Sequence, residues 1–179
     1  MALKIITPPT EEPLSIIEAK KQGVIEHEED DLLVSEYIKA AREYCQNTHN
    51  RAFGLTTYEL WLDNWRECIE LPMPPLVEVL SVKYYDTDNV EHDIEDTDYL
   101  VDDVSEPGRL IISKQPSNMR KYNAIVIRYK AGGDVSELVK QAMRLAIAEW
   151  YKNREVGELN SKTMDAIKSL LSLDRVRPV

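Results

Sequence analysis

Asp86-Thr87-Asp88-Asn89 has the residue types and spacing of the start of a cation loop. Oxygen donors at alternate positions suit calcium, but the sixth position is Glu91 rather than Gly and no suitably placed bidentate Glu closes the loop. The stretch reads instead as a solvated hairpin turn. His27, His49 and His92 are scattered without the spacing that metal ligation needs. Gly132-Gly133 stands before a helical pattern, as in a phosphate cradle, yet no Lys-Ser/Thr follows and Asp134 would repel an anion. Glu18-Ala19-Lys20 has the Glu-x-Lys order of a metal-dependent nuclease, but it lies in a helix pattern and no Asp precedes it to complete a metal cluster. Ser113 and Ser136 lack a nucleophile elbow, and neither Cys45 nor Cys68 has the surroundings of a reactive thiol. These residues predict no catalytic centre, no metal and no cofactor.

Charge points the same way. The chain carries 32 acidic and 22 basic side chains, a formal net charge of -10. Affinity for nucleic acid comes largely from Lys and Arg displacing phosphate counterions, so this balance argues against specific nucleic-acid binding. Between Lys83 and Arg109 there is no Lys or Arg, whereas Asp86, Asp88, Glu91, Asp93, Glu95, Asp96, Asp98, Asp102, Asp103 and Glu106 all fall there. With 179 residues the chain suits one compact domain, and two cysteines are too few for a disulfide framework or a zinc site. Residues 1–13 show no leader pattern and no segment approaches the ~18 apolar residues of a membrane span, so a soluble, cytoplasmic protein is expected.

The elements follow from periodicity. Prolines 8, 9 and 13 predict an extended arm over 1–13, and residues 14–50 predict a helix pair. Ser15 and Glu18 form a capping box for the first helix, which Gly23 ends. The second has a stripe of Leu33, Tyr37, Ala40, Ala41, Tyr44 and Thr48, with Glu36, Lys39, Arg42 and Glu43 on its solvated face. From 55 to 131 the pattern alternates, predicting antiparallel strands and hairpins: Tyr58 to Leu62, Ile69 to Leu71, Val77 to Tyr85, Val90 to Ile94, Tyr99 to Val101, Leu110 to Ile112, and Ile125 to Tyr129. A core helix over 134–155 comes next, capped by Asp134 or Ser136. Its stripe is Leu138, Ala142, Leu145, Ala146 and Trp150, widened by Val139, Met143 and Ile147. Beyond a Gly-containing break, 161–179 reads as a mobile C-terminal segment with a short terminal helix. The fold class is α+β with one core, or a helical domain made from both chain ends with a β domain inserted between them.

One ordered set of motifs carries a resemblance. Ala40-Ala41-Arg42-Glu43-Tyr44, Glu70-Leu71-Pro72-Met73-Pro74-Pro75-Leu76-Val77-Glu78-Val79 leading to Tyr84-Tyr85-Asp86, and Arg128-Tyr129-Lys130-Ala131-Gly132-Gly133 come first. Ile147-Ala148-Glu149-Trp150-Tyr151-Lys152-Asn153-Arg154-Glu155 and Leu170-Leu171-Ser172-Leu173-Asp174-Arg175 complete it. From Leu14 to Arg175 the chain resembles the head-tail connector, or head-completion adaptor, family of tailed bacteriophages and prophages. The resemblance implies a single connector domain over 1–179 and a non-enzymatic virion protein, present in the host cytoplasm during assembly. It implies a homo-oligomeric ring between portal protein and a tail-completion or stopper protein, through which DNA passes. The chain departs from the family pattern where Asp88-Asn89 replaces an expected Asp-Gly. A competing reading makes the acidic hairpin a nucleic-acid mimic in a regulatory binding protein.

Two surfaces are expected to matter. Asp86, Asp88, Glu91 and Asp93 would face the channel or solvent, repelling DNA phosphates during passage. Met164, Ile167, Leu170 and Leu171, with Arg175 and Arg177 beyond them, would contact the portal from the mobile segment.

Overall fold

The computed structural model describes residues 1–153 and 160–172. Its contacts separate two compact units, Met1–Pro9 with Leu55–Gly133, and Thr10–Gly54 with the described residues from Asp134 onward. The class is α+β, as the patterning predicts.

The second unit holds four helices: α1 (Ile16–Gly23), α2 (Asp31–His49), α3 (Glu137–Asn153) and α4 (Ser161–Ser172). The capping box at α1 is formed as expected. Glu18 N–H donates to Ser15 Oγ at 3.2 Å and Ser15 N–H donates to the Glu18 carboxylate at 2.9 Å, satisfying two orphan donors of the first turn. The Ser15 N–H bond, together with the Ser15 hydroxyl donating to the same carboxylate at 2.7 Å, holds the Glu18 carboxyl below its ordinary range. The stop differs in detail, because the left-handed residue is Val24 (φ 51°), one position after Gly23.

On α2 the buried side is Val34, Tyr37, Ile38, Ala41, Cys45 and His49, about one position round from the expected stripe, and Leu33, Ala40 and Tyr44 are half-buried. Arg42 is therefore not on the solvated face. Its residue exposure is 6 % and its Nε donates to Glu12 Oε2 at 2.8 Å, so the buried guanidinium is paired by a carboxylate from the arm.

The long C-terminal helix begins at Glu137 rather than at 134. Of the two candidate caps, Ser136 is the one used, its Oγ accepting from Val139 N–H at 3.4 Å. The far end of the expected span falls among residues outside those described. The buried stripe of α3 is Val139, Ala142, Met143, Ala146, Ile147 and Trp150, whereas Leu138 is 40 % exposed. Helices α1, α2 and α4 all pack on α3, which accounts for its apolar character around most of its circumference.

The first unit holds eight strands: β1 (Ala2–Thr7), β2 (Thr56–Leu62), β3 (Cys68–Glu70), β4 (Leu76–Tyr85), β5 (Glu91–Asp93), β6 (Tyr99–Asp102), β7 (Arg109–Ile112) and β8 (Ile125–Ala131). They form a five-stranded sheet, β1-β2-β8-β4-β5, and a three-stranded sheet, β3-β7-β6. All pairings are antiparallel. Strand β8, which feeds α3 in the chain, is the centre of the larger sheet. Register aligns Leu60, Ile127 and Val82 in one row and Tyr58, Tyr129 and Val79 in another, both on the core face. Ile69, Leu71, Leu110 and Ile112 are buried in the same unit. Tyr129 Oη donates to the Pro72 carbonyl at 2.8 Å, and burial pushes its phenol up. Gly108 permits a close backbone approach, since a Cβ there would lie 2.6 Å from Leu76 Cβ.

Candidate interaction surfaces

The acidic stretch folds as the hairpin that its turn residues predict, with Lys83 opposite Asp93, Tyr84 opposite His92 and Tyr85 opposite Glu91. Its carboxylates divide by role. Asp86 turns inward, its side chain 13 % exposed. Oδ1 accepts from the N–H groups of Asp88 and Val90, each at 2.9 Å, and Oδ2 lies 2.7 Å from His92 Nε2. Those bonds, the His92 contact foremost, hold the Asp86 carboxyl below its ordinary value of 3.8. Glu91 accepts from Lys83 Nζ at 2.6 Å and from Tyr85 Oη at 2.7 Å. Asp88 and Asp93 are exposed, the latter with Lys83 at 3.5 Å. Asp86 and Glu91 thus spend their charge inside the hairpin, while Asp88 and Asp93 present theirs to solvent.

The outward face of the larger sheet is laced by charge and aromatic contacts. Arg128 pairs with Glu59 at 2.7 Å and Lys130 with Glu78 at 2.6 Å, across the β8–β2 and β8–β4 registers. Trp61 stacks on Tyr85 with 6.1 Å between centroids, Lys4 lies 5.1 Å from the Trp61 ring, and the Arg120 guanidinium sits 4.0 Å from the Tyr85 ring. Such cation–ring contacts are worth about 0.5–1 kcal/mol each where exposed. They tie β1 and the 113–124 loop to the middle of the sheet. Sequence reasoning missed this cluster, because Lys4, Trp61, Tyr85 and Arg120 are 24 to 116 positions apart and only register brings them together.

The α4 residues also divide. Ile167 and Leu171 are buried in the core of the helical unit, and Met164 and Leu170 are half-buried, with Tyr44 Oη donating to Met164 Sδ at 3.2 Å. Arg175 and Arg177 lie outside the described residues. Cys45 is buried, which pushes its thiol up to about 12, and Cys68 is exposed on β3. Among the described residues no three of His, Cys, Asp and Glu gather as a metal site. No described helix is long and apolar enough to cross a membrane.

A further surface was not foreseen. Within the expected extended arm, residues 2–7 form an edge strand, all six exposed, with Leu3, Ile5 and Ile6 among them. The arm expectation rested on the prolines at 8, 9 and 13, and those at 8 and 9 directly follow the strand.

Residues 14–165 match the family described as Head completion protein. Solved structures share the fold. A chain in the neck of an empty GTA particle computed with C6 symmetry superposes with a TM-score of 0.83 at 19% identity, covering 100% of this chain and 97% of that one. A chain in the virion of a native gene transfer agent particle gives 0.77 at 19% identity, with the same coverages of 100% and 97%. A chain in the neck of a native GTA particle computed with C12 symmetry gives 0.76 at 20%, covering 100% and 98%. No curated protein matches the chain.

Proposed function

Because the chain belongs to the head completion protein family, we propose that it closes into a homo-oligomeric ring between portal and tail and extends the channel through which DNA leaves the head. The family makes it a structural protein of phage virion assembly, of the head-tail connector kind. The observation that carries the ring reading is the family match over 14–165, supported by a fold shared over the whole chain with chains of GTA particle necks computed with C6 and C12 symmetry. In this reading the protein is not an enzyme and acts by shape and charge as a single connector domain. Its neighbours are portal protein on one side and a tail-completion or stopper protein on the other. It resides in the virion, after assembly in the host cytoplasm.

Charge supports the passage role. A formal net charge of -10 and the exposed carboxylates of Asp88 and Asp93 suit a surface over which DNA slides without sticking. Asp86 and Glu91, paired within the hairpin, hold the turn that presents that patch. On α4, Ile167 and Leu171 cover α3, so portal contact falls to the half-buried Met164 and Leu170 and to Arg175 and Arg177. Negative-stain microscopy of the chain alone and mixed with its portal tests the reading. Annular particles seated on portal are expected, and a chain that stays monomeric and leaves portal bare would overturn it.

A further inference from the structure

From the two ends of the larger sheet we infer that neighbouring copies join edge to edge, the β1 edge of one copy lying against the β5 edge of the next. The inference rests on the ring reading and adds which surfaces close the ring. In the sheet order β1-β2-β8-β4-β5, the outer edge of β1 and the outer edge of β5 are unpaired among the described residues. An open edge presents a row of N–H and C=O groups that a further strand can satisfy.

Two features select a second copy as the occupant. The first is direction. Successive neighbours in the sheet are antiparallel, so β1 and β5 run the same way. A rotation about an axis along the strands carries one copy onto the next and brings β5 beside β1 in parallel, and such a head-to-tail contact closes into a ring.

The second is face chemistry. Directly paired residues share a face. Leu3 lies opposite Leu60, in the row of Ile127 and Val82, and Ile94 N–H donates to the Val82 carbonyl at 2.9 Å. Leu3 and Ile5, 37 % and 57 % exposed, therefore stand on the same face as His92 of β5, the 52 % exposed Val90 before it and the buried Ile94 after it. Lys4 stands on the opposite face, which also carries Lys83 and its partner Asp93. No acidic residue precedes Glu11, whereas the β5 edge carries Glu91 and Asp93. Joined this way, Leu3 and Ile5 meet Val90 and the His92 ring on one face, and a base meets acids on the other. A β1 edge set against another β1 edge would instead put Lys4 close to Lys4.

Disulfide trapping tests the pairing. Adjacent strands lie about 4.8 Å apart, within the Cα separation that a disulfide accepts. In the full chain with exposed Cys68 replaced by Ser, Lys4→Cys is combined with Glu91→Cys or Asp93→Cys, and each variant is oxidised mildly after assembly with or without portal. One of the two combinations should convert most of the chain into a covalent ladder reaching ring size, while Lys4→Cys alone should give no dimer. Dimers from Lys4→Cys alone would show two β1 edges paired with each other and overturn the inference. Rings visible by microscopy without a ladder from either combination would overturn the edge pairing and leave the ring reading intact. Failure of the Cys68→Ser parent to form any ring, alone or on portal, would overturn the ring reading and the pairing with it. Circular dichroism and melting of each variant, compared with that parent, confirm that the fold survives at these exposed positions.

Discussion

The helical unit and the β unit solve the burial problem in opposite ways. In the first, one helix, α3, is covered by three others, and Ile167, Leu171, Met143 and Ile147 are essentially inaccessible to solvent. In the second, one sheet face is buried, while the other is held by Arg128 with Glu59, Lys130 with Glu78 and the Lys4, Trp61, Tyr85 and Arg120 cluster. Its edge strand β1 has no buried residue. A helix satisfies its own backbone, whereas a sheet leaves donors and acceptors at both margins. Among the described residues the open backbone edges therefore lie in the β unit, at β1 and β5 of the larger sheet.

Substitutions can break that contrast in order of size. Trp150→Ala removes a ring that packs 6.3 Å from Tyr37 and 6.4 Å from Tyr44, and should cost about 3–5 kcal/mol in urea denaturation. A loss below about 1 kcal/mol would mean that the α3 core is looser than described. Gly108→Ala forces a methyl toward Leu76 in the β unit and should cost about 1–3 kcal/mol by the same assay. Ser15→Ala removes the α1 cap, with a loss of about 1 kcal/mol. Asp88→Asn, on the exposed hairpin tip, should leave the melting temperature unchanged, and a clear drop would show a partner for that carboxylate.

Acid sharpens the comparison. The Asp86 carboxyl is held below its ordinary value of 3.8, so the folded hairpin binds a proton less readily than the unfolded chain. Its contribution is complete above that value and is lost as pH falls through the lower folded one. Amide resonances of Asp88 and Val90, which donate to Asp86, should therefore shift with a midpoint below pH 3.8. A midpoint at or above that value would contradict the inward role of Asp86.

Much of this division was legible in the sequence, and the exceptions share a cause. The capping box of Ser15 and Glu18 spans three residues, and the 86–89 turn is built from local chemistry, so both could be read directly. Every β strand except β1 was foreseen, since alternation is a property of a short window. Arg42 was misplaced because its partner, Glu12, lies 30 positions upstream in a stretch with no period of its own. Leu138 looked like core because helical spacing alone does not say where a stripe is centred. The Trp61 and Tyr85 stack was invisible for the same reason, since the pairing of β2 and β4 with β8 is set by register over the whole sheet. Of the expected site residues, Ile167 and Leu171 illustrate the remaining ambiguity: an apolar stripe has the same spacing whether it fills its own core or a partner's groove.

Hydrogen exchange across assembly tests the division most directly. The free chain and the chain assembled on portal are compared residue by residue. The account predicts that the outward-pointing amides of Ala2–Thr7 and Glu91–Asp93, those not bonded to β2 or β4, exchange rapidly in the free chain and become protected on assembly, while those of Val139–Trp150 are slow in both states. Protection gained in α3 with β1 still exchanging freely would contradict it.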